Sequence, residues 1–249
     1  KRNPPRVGDP ALSLGKSCMN RTPEENLSAI LASTTYKLAE LDTDLLQRDE
    51  LRPVRMQLEM LKPELQFAEQ NVNSTIVVFG GTQILPAEQA QARLSAAQTA
   101  VDENPENETA QRELSRAQRV AAKSRFYDDA REFSRLVSSV CQTEGKCDYV
   151  VVTGGGPGIM EAANRGAFDE GAKSIGLNIT LPEEQHPNPY ITPELCFMFH
   201  YFAMRKLHFL LRAKALVIFP GGFGTLDELF DALTLRQAQR MEEVGIILY

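Results

Sequence analysis

Tryptophan is absent from this chain, histidine occurs three times and cysteine four times. Cys18, Cys141, Cys147 and Cys196 form no Cys-x-x-Cys pair and share no zinc-type spacing with histidine. That pattern excludes a zinc ribbon or dithiol redox motif of the usual sequence form, so isolated reduced thiols and a cytoplasmic setting are expected. No apolar run reaches the ~20 residues of a membrane-spanning helix, and no signal-peptide pattern is visible. Neither a membrane partner nor a metal is expected. A basic excess is also missing: Lys and Arg number 27 against 33 Asp and Glu, a net charge of −6. A general nucleic-acid partner is therefore not expected, although a local basic pocket for one phosphorylated small molecule is compatible with that balance.

The 249 residues, 43% of them hydrophobic, suffice for one large domain with an appended helical piece. The chain opens on Lys-Arg-Asn-Pro-Pro and stops within the strand-like run Ile246 to Tyr249, as expected of an excerpt from a longer protein. Residues 1–23 have no periodicity and read as an irregular arm. Thr22-Pro-Glu-Glu predicts a helix start, with Thr22 as N-cap and Pro23 in the first position. Leu27, Ile30, Leu31, Leu38, Leu41 and Leu45 fall at helical spacing, and Pro53 and Pro63 predict breaks between several shorter helices up to Val72. Residues 1–72 thus form an N-terminal arm and helical extension, for packing or oligomerisation. Residues 73–249 form the second part.

That second part opens with the strand Thr75 to Phe79 and the turn Gly80-Gly81-Thr82. Residues 87–140 read as two helices joined by the turn 102–107, a hairpin that is largely an insertion. Strands then alternate with helices: Tyr149 to Thr153, Ser174 to Asn178, a short run Leu195 to Phe199, Leu216 to Phe219 and Gly245 to Tyr249. The alternation predicts an α/β fold with a parallel sheet covered by helices on both faces, and ligands outside the carboxyl ends of its strands.

Glycine-rich turns occupy three of those ends. Gly154-Gly155-Gly156-Pro157-Gly158 departs from the dinucleotide fingerprint, because Ile159 replaces its third glycine and Asn178 and Thr180 stand where an acid would hold a ribose. It also lacks the Lys-Ser/Thr of a P-loop. A phosphate at the helix start and a purely structural turn with Pro157 at N1 both fit. Pro220-Gly221-Gly222-Phe223-Gly224-Thr225 leads into Leu226-Asp227-Glu228. Here a phosphate cradle competes with a capping box of Thr225 as N-cap and Glu228 at N3, with Asp227 offsetting the helix dipole. Arg205, His208 and Arg212 share a helix face. Arg205 fits either a phosphate fork or a solvated basic face, whereas His208, among Leu and Phe, fits the edge of a core. The polar loop around Glu183 to Tyr190 fits a lid, a pocket wall or a surface connection.

Pro220-Gly221-Gly222-Phe223-Gly224-Thr225-Leu226-Asp227-Glu228, Arg205-Lys206 and Gly154 to Asn164 together resemble the LOG family of phosphoribohydrolases, often mislabelled "lysine decarboxylase". The likeness spans Thr75 to Tyr249 apart from 87–122. It implies a Rossmann-like fold, a homodimer or higher homo-oligomer, no cofactor, and hydrolysis of the N-glycosidic bond of a nucleoside 5′-monophosphate, AMP-like or a cytokinin riboside monophosphate. By motif position, Arg205 and Glu228 would be the catalytic pair. Gly80, Gly81, Thr82, Gly154, Gly155, Gly156, Gly158, Met204, Lys206, Gly221, Gly222, Gly224 and Thr225 would hold the phosphate and substrate. Gly81-Thr82 stands for the usual Gly-Ser, and Ala203-Met204 for the common His-Glu, which leaves the base open. A nucleotide-binding sensor or carrier without turnover is the alternative.

Overall fold

The computed structural model describes residues 21–143, 146–181 and 186–249. The irregular arm expected over 1–23 lies almost wholly outside these residues. Two compact units divide at Arg55/Met56.

In the first unit, α1 (Pro23–Leu31) begins as its sequence predicts. Thr22 Oγ1 accepts from the Glu25 amide at 3.2 Å, and the Glu25 carboxylate accepts from the Thr22 amide at 2.9 Å. The leucine spacing from Leu27 to Leu45 is divided among short elements. Short 3₁₀ turns at Thr34–Tyr36 and Ala39–Leu41 and the single-turn α2 (Thr43–Gln47) follow. Helix α3 (Arg52–Glu69) runs unbroken through Pro63, which was expected to end a helix.

Proline removes an amide donor, so the carbonyl four residues earlier loses its helical partner. That carbonyl belongs to Glu59, and His208 Nε2 lies 3.1 Å from it. The ring is buried, and burial pushes its pKa down against the hydrogen bond to Glu59 and the charge of Glu64. His208 therefore completes a proline-interrupted helix, the core-edge role its neighbours predicted. Leaving that carbonyl unpaired costs about 1–3 kcal/mol. We expect His208→Leu to lower thermal stability accordingly, and His208→Leu/Pro63→Ala, which restores the amide, to recover part of the loss in a melting experiment.

The second unit is built on a six-stranded, all-parallel sheet in the order β6-β5-β4-β1-β7-β8. Its strands are β1 (Thr75–Phe79), β4 (Val150–Thr153), β5 (Ser174–Ile179), β6 (Cys196–Phe199), β7 (Ala213–Ile218) and β8 (Gly245–Leu248). A small antiparallel ribbon pairs β2 (Gln142–Thr143) with β3 (Lys146–Cys147). With helices on both faces, the sheet is a Rossmann-like α/β arrangement. Alternation along each strand divides the core. Val77, Phe79, Val150, Val152, Leu216 and Ile218 pack on one face with Phe67 of α3, Phe209 of α8 (Phe202–Leu211) and Leu229 of α9 (Phe223–Gln237). Val78, Val151 and Val217 pack on the other face with Tyr127 and Ala130 of α6 (Arg125–Cys141) and with Ile159, Ala162 and Ala163 of α7 (Ile159–Asp169). Each such Val, Leu, Ile or Phe side chain contributes roughly 1.5–3 kcal/mol of burial.

Residues 87–140 form three helices, not two. α4 (Ala87–Glu103) and α5 (Glu108–Lys123) make the expected hairpin, its turn held by Asn107, whose side chain accepts from the Thr109 and Ala110 amides. The chain then turns at Ser124 into α6, the true crossover helix between β1 and β4. α6 is tied to α7 by Arg131–Asp169 at 2.6 Å and Arg135–Glu170 at 2.8 Å.

Candidate active site

Strand order reverses around β1. β4 lies on one side and β7 on the other, so the carboxyl ends of these three neighbours carry the three glycine turns. Such a switch point opens a crevice for ligands. A cavity of about 290 Å³ occupies it. Of the residues singled out from sequence, Gly80, Gly81, Thr82, Gly154, Arg205, Gly222, Gly224, Thr225 and Glu228 line it, together with Asp227. Gly155, Gly156, Gly158, Met204, Lys206 and Gly221 stand outside this lining.

The capping-box expectation does not hold. Helix α9 starts at Phe223, with Gly222 as N-cap and no side-chain cap. Thr225 therefore sits in the third helical position, and a Cβ on Gly221 would meet its hydroxyl at 2.1 Å. Glu228 falls in the second turn, beyond reach of any cap role, and Asp227 likewise leaves the first turn. The start of α9 instead presents amides with no helical acceptor to the cavity, as a helix N-terminus does for an anion.

Glu228 is 9% exposed and has no hydrogen-bond partner among the described residues. Burial drives its pKa up to about 7, against the opposing pull of Arg205 and Lys206. A carboxylate at that value exchanges protons near neutrality, as a general acid or base must.

Arg205 is no solvated base. Its Nε donates to the Leu177 carbonyl at 2.6 Å, its Nη2 lies 3.4 Å from the Gly154 carbonyl, and its Cζ stacks 5.1 Å from the Phe209 ring centre. A Cβ on Gly154 would stand 2.5 Å from Nη2, so glycine there makes room for the guanidinium. Burial lowers the Arg205 pKa, and Glu228 counteracts it. Nη1 has no partner among the described residues and is the donor left for a ligand.

The remaining turn residues are structural supports. Gly158, at φ 74°, is the N-cap of α7 in place of the expected Pro157 at N1, and a Cβ there would meet the Gly81 carbonyl at 2.3 Å. The Gly155 and Gly156 carbonyls face Asn188, whose amide nitrogen donates to Gly155 at 2.8 Å and whose Nδ2 lies 3.1 Å from Gly156. Asn188 Nδ2 also donates to Asn164 Oδ1 at 2.9 Å, and Asn164 accepts from Thr153 at 2.7 Å. The described part of the polar loop thus clamps a glycine turn. Asn188 escaped sequence reasoning because its partners lie more than 20 residues away.

Glu59 was missed for the same reason. Its carboxylate accepts from the His200 and Tyr201 amides, at 2.7 and 3.1 Å, and so holds the segment that leads into α8 from another helix.

Lys206 bridges Asp227 at 2.7 Å and Asp231 at 2.6 Å, fixing α8 to α9. Burial works against its charge, but the two carboxylates outweigh it and raise its pKa. No lysine lines the cavity among the described residues. A Schiff-base lysine needs a free amine, and Lys206, pinned as an ammonium, does not fit pyridoxal-phosphate chemistry. Among the described residues no helix is long and apolar enough to cross a membrane.

Residues 160–249 match the model of a family described as "possible lysine decarboxylase", the label the LOG resemblance carries, and the matched segment contains both Arg205 and Glu228. No curated protein matches the chain. Among 24 matching chains of solved structures is the X-ray structure of TM1055, a Northeast Structural Genomics Consortium target. It is 23% identical, with 65% of this chain and 69% of that chain covered and a TM-score of 0.41.

Proposed function

We propose that the chain hydrolyses the N-glycosidic bond of a nucleoside 5′-monophosphate, releasing free base and ribose 5-phosphate. The observation that carries this is Glu228, a buried carboxylate with a pKa near neutrality, opposite a fixed Arg205 in a cavity rimmed by glycine turns. The amides at the start of α9 and the glycine turns at Gly80 and Gly154 hold the 5′-phosphate, which positions the ribose. The bond from C1′ to the base nitrogen breaks with its electron pair leaving on the base, which takes up one proton, balanced by the proton that water loses as it adds to C1′. Positive charge develops on the ribose, and ionised Glu228 stabilises it and takes a proton from the water that adds to C1′. Nη1 of Arg205 binds the phosphoribosyl group or the departing base. In kind this is hydrolase chemistry, and it asks nothing of a lysine.

Incubating the protein with AMP and other nucleoside 5′-monophosphates, and following free base, tests the assignment directly. Because the ionised form of Glu228 is the active one, kcat/KM on AMP falls about tenfold per pH unit below its pKa of about 7 and levels off above it. Lys206 holds that pKa down through its charge. Lys206→Met removes the positive charge, so the acid limb moves to higher pH. A limb that stays in place takes Lys206 out of the electrostatics of the site.

A further inference from the structure

The α4–α5 hairpin does more than lengthen a crossover. It encloses a second cavity of about 530 Å³ on the other side of the same glycine turns, with Gly81, Thr82 and Gly222 shared between the two. Into it face Arg93, Arg116, Arg119 and Lys123. On α5, Arg116, Arg119 and Lys123 recur at helical spacing, so their side by side placement follows from the sequence. One carboxylate answers them. Glu113 pairs with Arg93 through Nε at 3.2 Å and through Nη2, and lies 3.7 Å from Arg116. Arg119 bonds only the Ser115 hydroxyl, at 3.1 Å, and Lys123 has no partner among the described residues. Four cations against one anion leave an excess of three positive charges beside a ready anion cradle. A single phosphate monoester, carrying about −1.5 to −2, does not balance them.

We propose that this second cavity is a polyphosphate subsite: a nucleoside 5′-di- or triphosphate binds with its first phosphate at the shared glycine turns and its outer phosphates among Arg116, Arg119 and Lys123. The proposal rests on the first cavity holding a nucleotide 5′-phosphate. The hairpin then selects nucleotides by phosphate number, as substrates or as competitors of the monophosphate.

Calorimetric titration of the whole protein with inorganic phosphate and with tripolyphosphate, at one ionic strength near 0.15 M, reads the subsite without any turnover. Tripolyphosphate binds at least tenfold more tightly than phosphate. Arg119→Gln/Lys123→Gln abolishes that preference, whereas Arg112→Gln/Arg236→Gln, an equal loss of charge outside the cavity, keeps it. Equal affinities for the two anions in the unmodified protein overturn the proposal, as does a preference that falls alike in both double variants. The steady-state counterpart is inhibition of base release from AMP by ATP, with a KI raised at least tenfold in Arg119→Gln/Lys123→Gln. Should the protein release no base, the anion titrations still decide for or against the subsite.

Discussion

Glu228→Gln lowers kcat for base release from AMP by about 10³-fold or more, the order of loss when the main charge-stabilising group of a site is removed, and makes the protein more stable above neutral pH. The two effects share one cause. Glu228 sits in a buried place that disfavours its charge, and its folded pKa of about 7 stands above the ordinary carboxylate value of 4.5. Between those values the folded chain holds a proton that the unfolded chain has lost. Stability therefore falls as pH rises from about 4.5 to about 7, and stays lost above. The window is worth roughly 3 kcal/mol at most. Glutamine neither titrates nor carries charge. The melting temperature of Glu228→Gln, relative to the unmodified protein, thus climbs by several degrees between pH 5 and pH 8. A difference independent of pH means that Glu228 is not held against its ionisation. Retained base release means that the carboxylate is not the reacting group.

Much of this site could be read from the chain. The glycine turns, the parallel strands that end in them and the Arg205-Lys206 pair are local patterns, and the sheet brought them together because its order reverses there. Start signals were less dependable. Thr22-Pro-Glu-Glu gave a true capping box. Thr225-Leu-Asp-Glu228 has the same spacing but lies after glycines that let the helix begin three residues earlier, at Phe223. That shift turns Glu228 from a cap into a cavity residue. Pro63 was read as a break because sequence shows the lost amide but not His208, which arrives from 145 positions further on to replace it. The anchors of Arg205 come from Leu177 and Gly154, 28 and 51 residues distant, so its charge pattern alone suggested a solvent face. Boundaries inside 87–140 were hidden for a different reason. Ser124 continues in helical backbone conformation, and no glycine or proline marks the corner between α5 and α6.

Gly166→Ala strongly destabilises the fold, whereas Gly224→Ala leaves it intact and weakens the proposed nucleotide site. Neither glycine has a positive φ, so the contrast is one of space. A Cβ on Gly166 would lie 2.0 Å from the Arg131 carbonyl oxygen and 2.8 Å from the Arg135 amide nitrogen, both backbone atoms of α6. Backbone in a packed helix cannot turn aside as a side chain can. Ala162, Ala163, Gly166 and Ala167 on α7 face Ala130, Ser134 and Ser138 on α6, and all are buried. One methyl group therefore forces the two helices apart along their whole contact. The loss is about 3 kcal/mol or more, a fall of roughly 10 °C in melting temperature for a chain of this size. By contrast, nothing lies within 4 Å of a Cβ on Gly224. Alanine at that helical position leaves the melting temperature unchanged or slightly raised. On the proposed reading the methyl group stands instead where the 5′-phosphate approaches the amides of α9, and KM for AMP rises at least tenfold. Equal melting temperatures for Gly166→Ala and the unmodified protein would show that α6 and α7 have room between them for a methyl group. An unchanged KM in Gly224→Ala would move the phosphate away from α9.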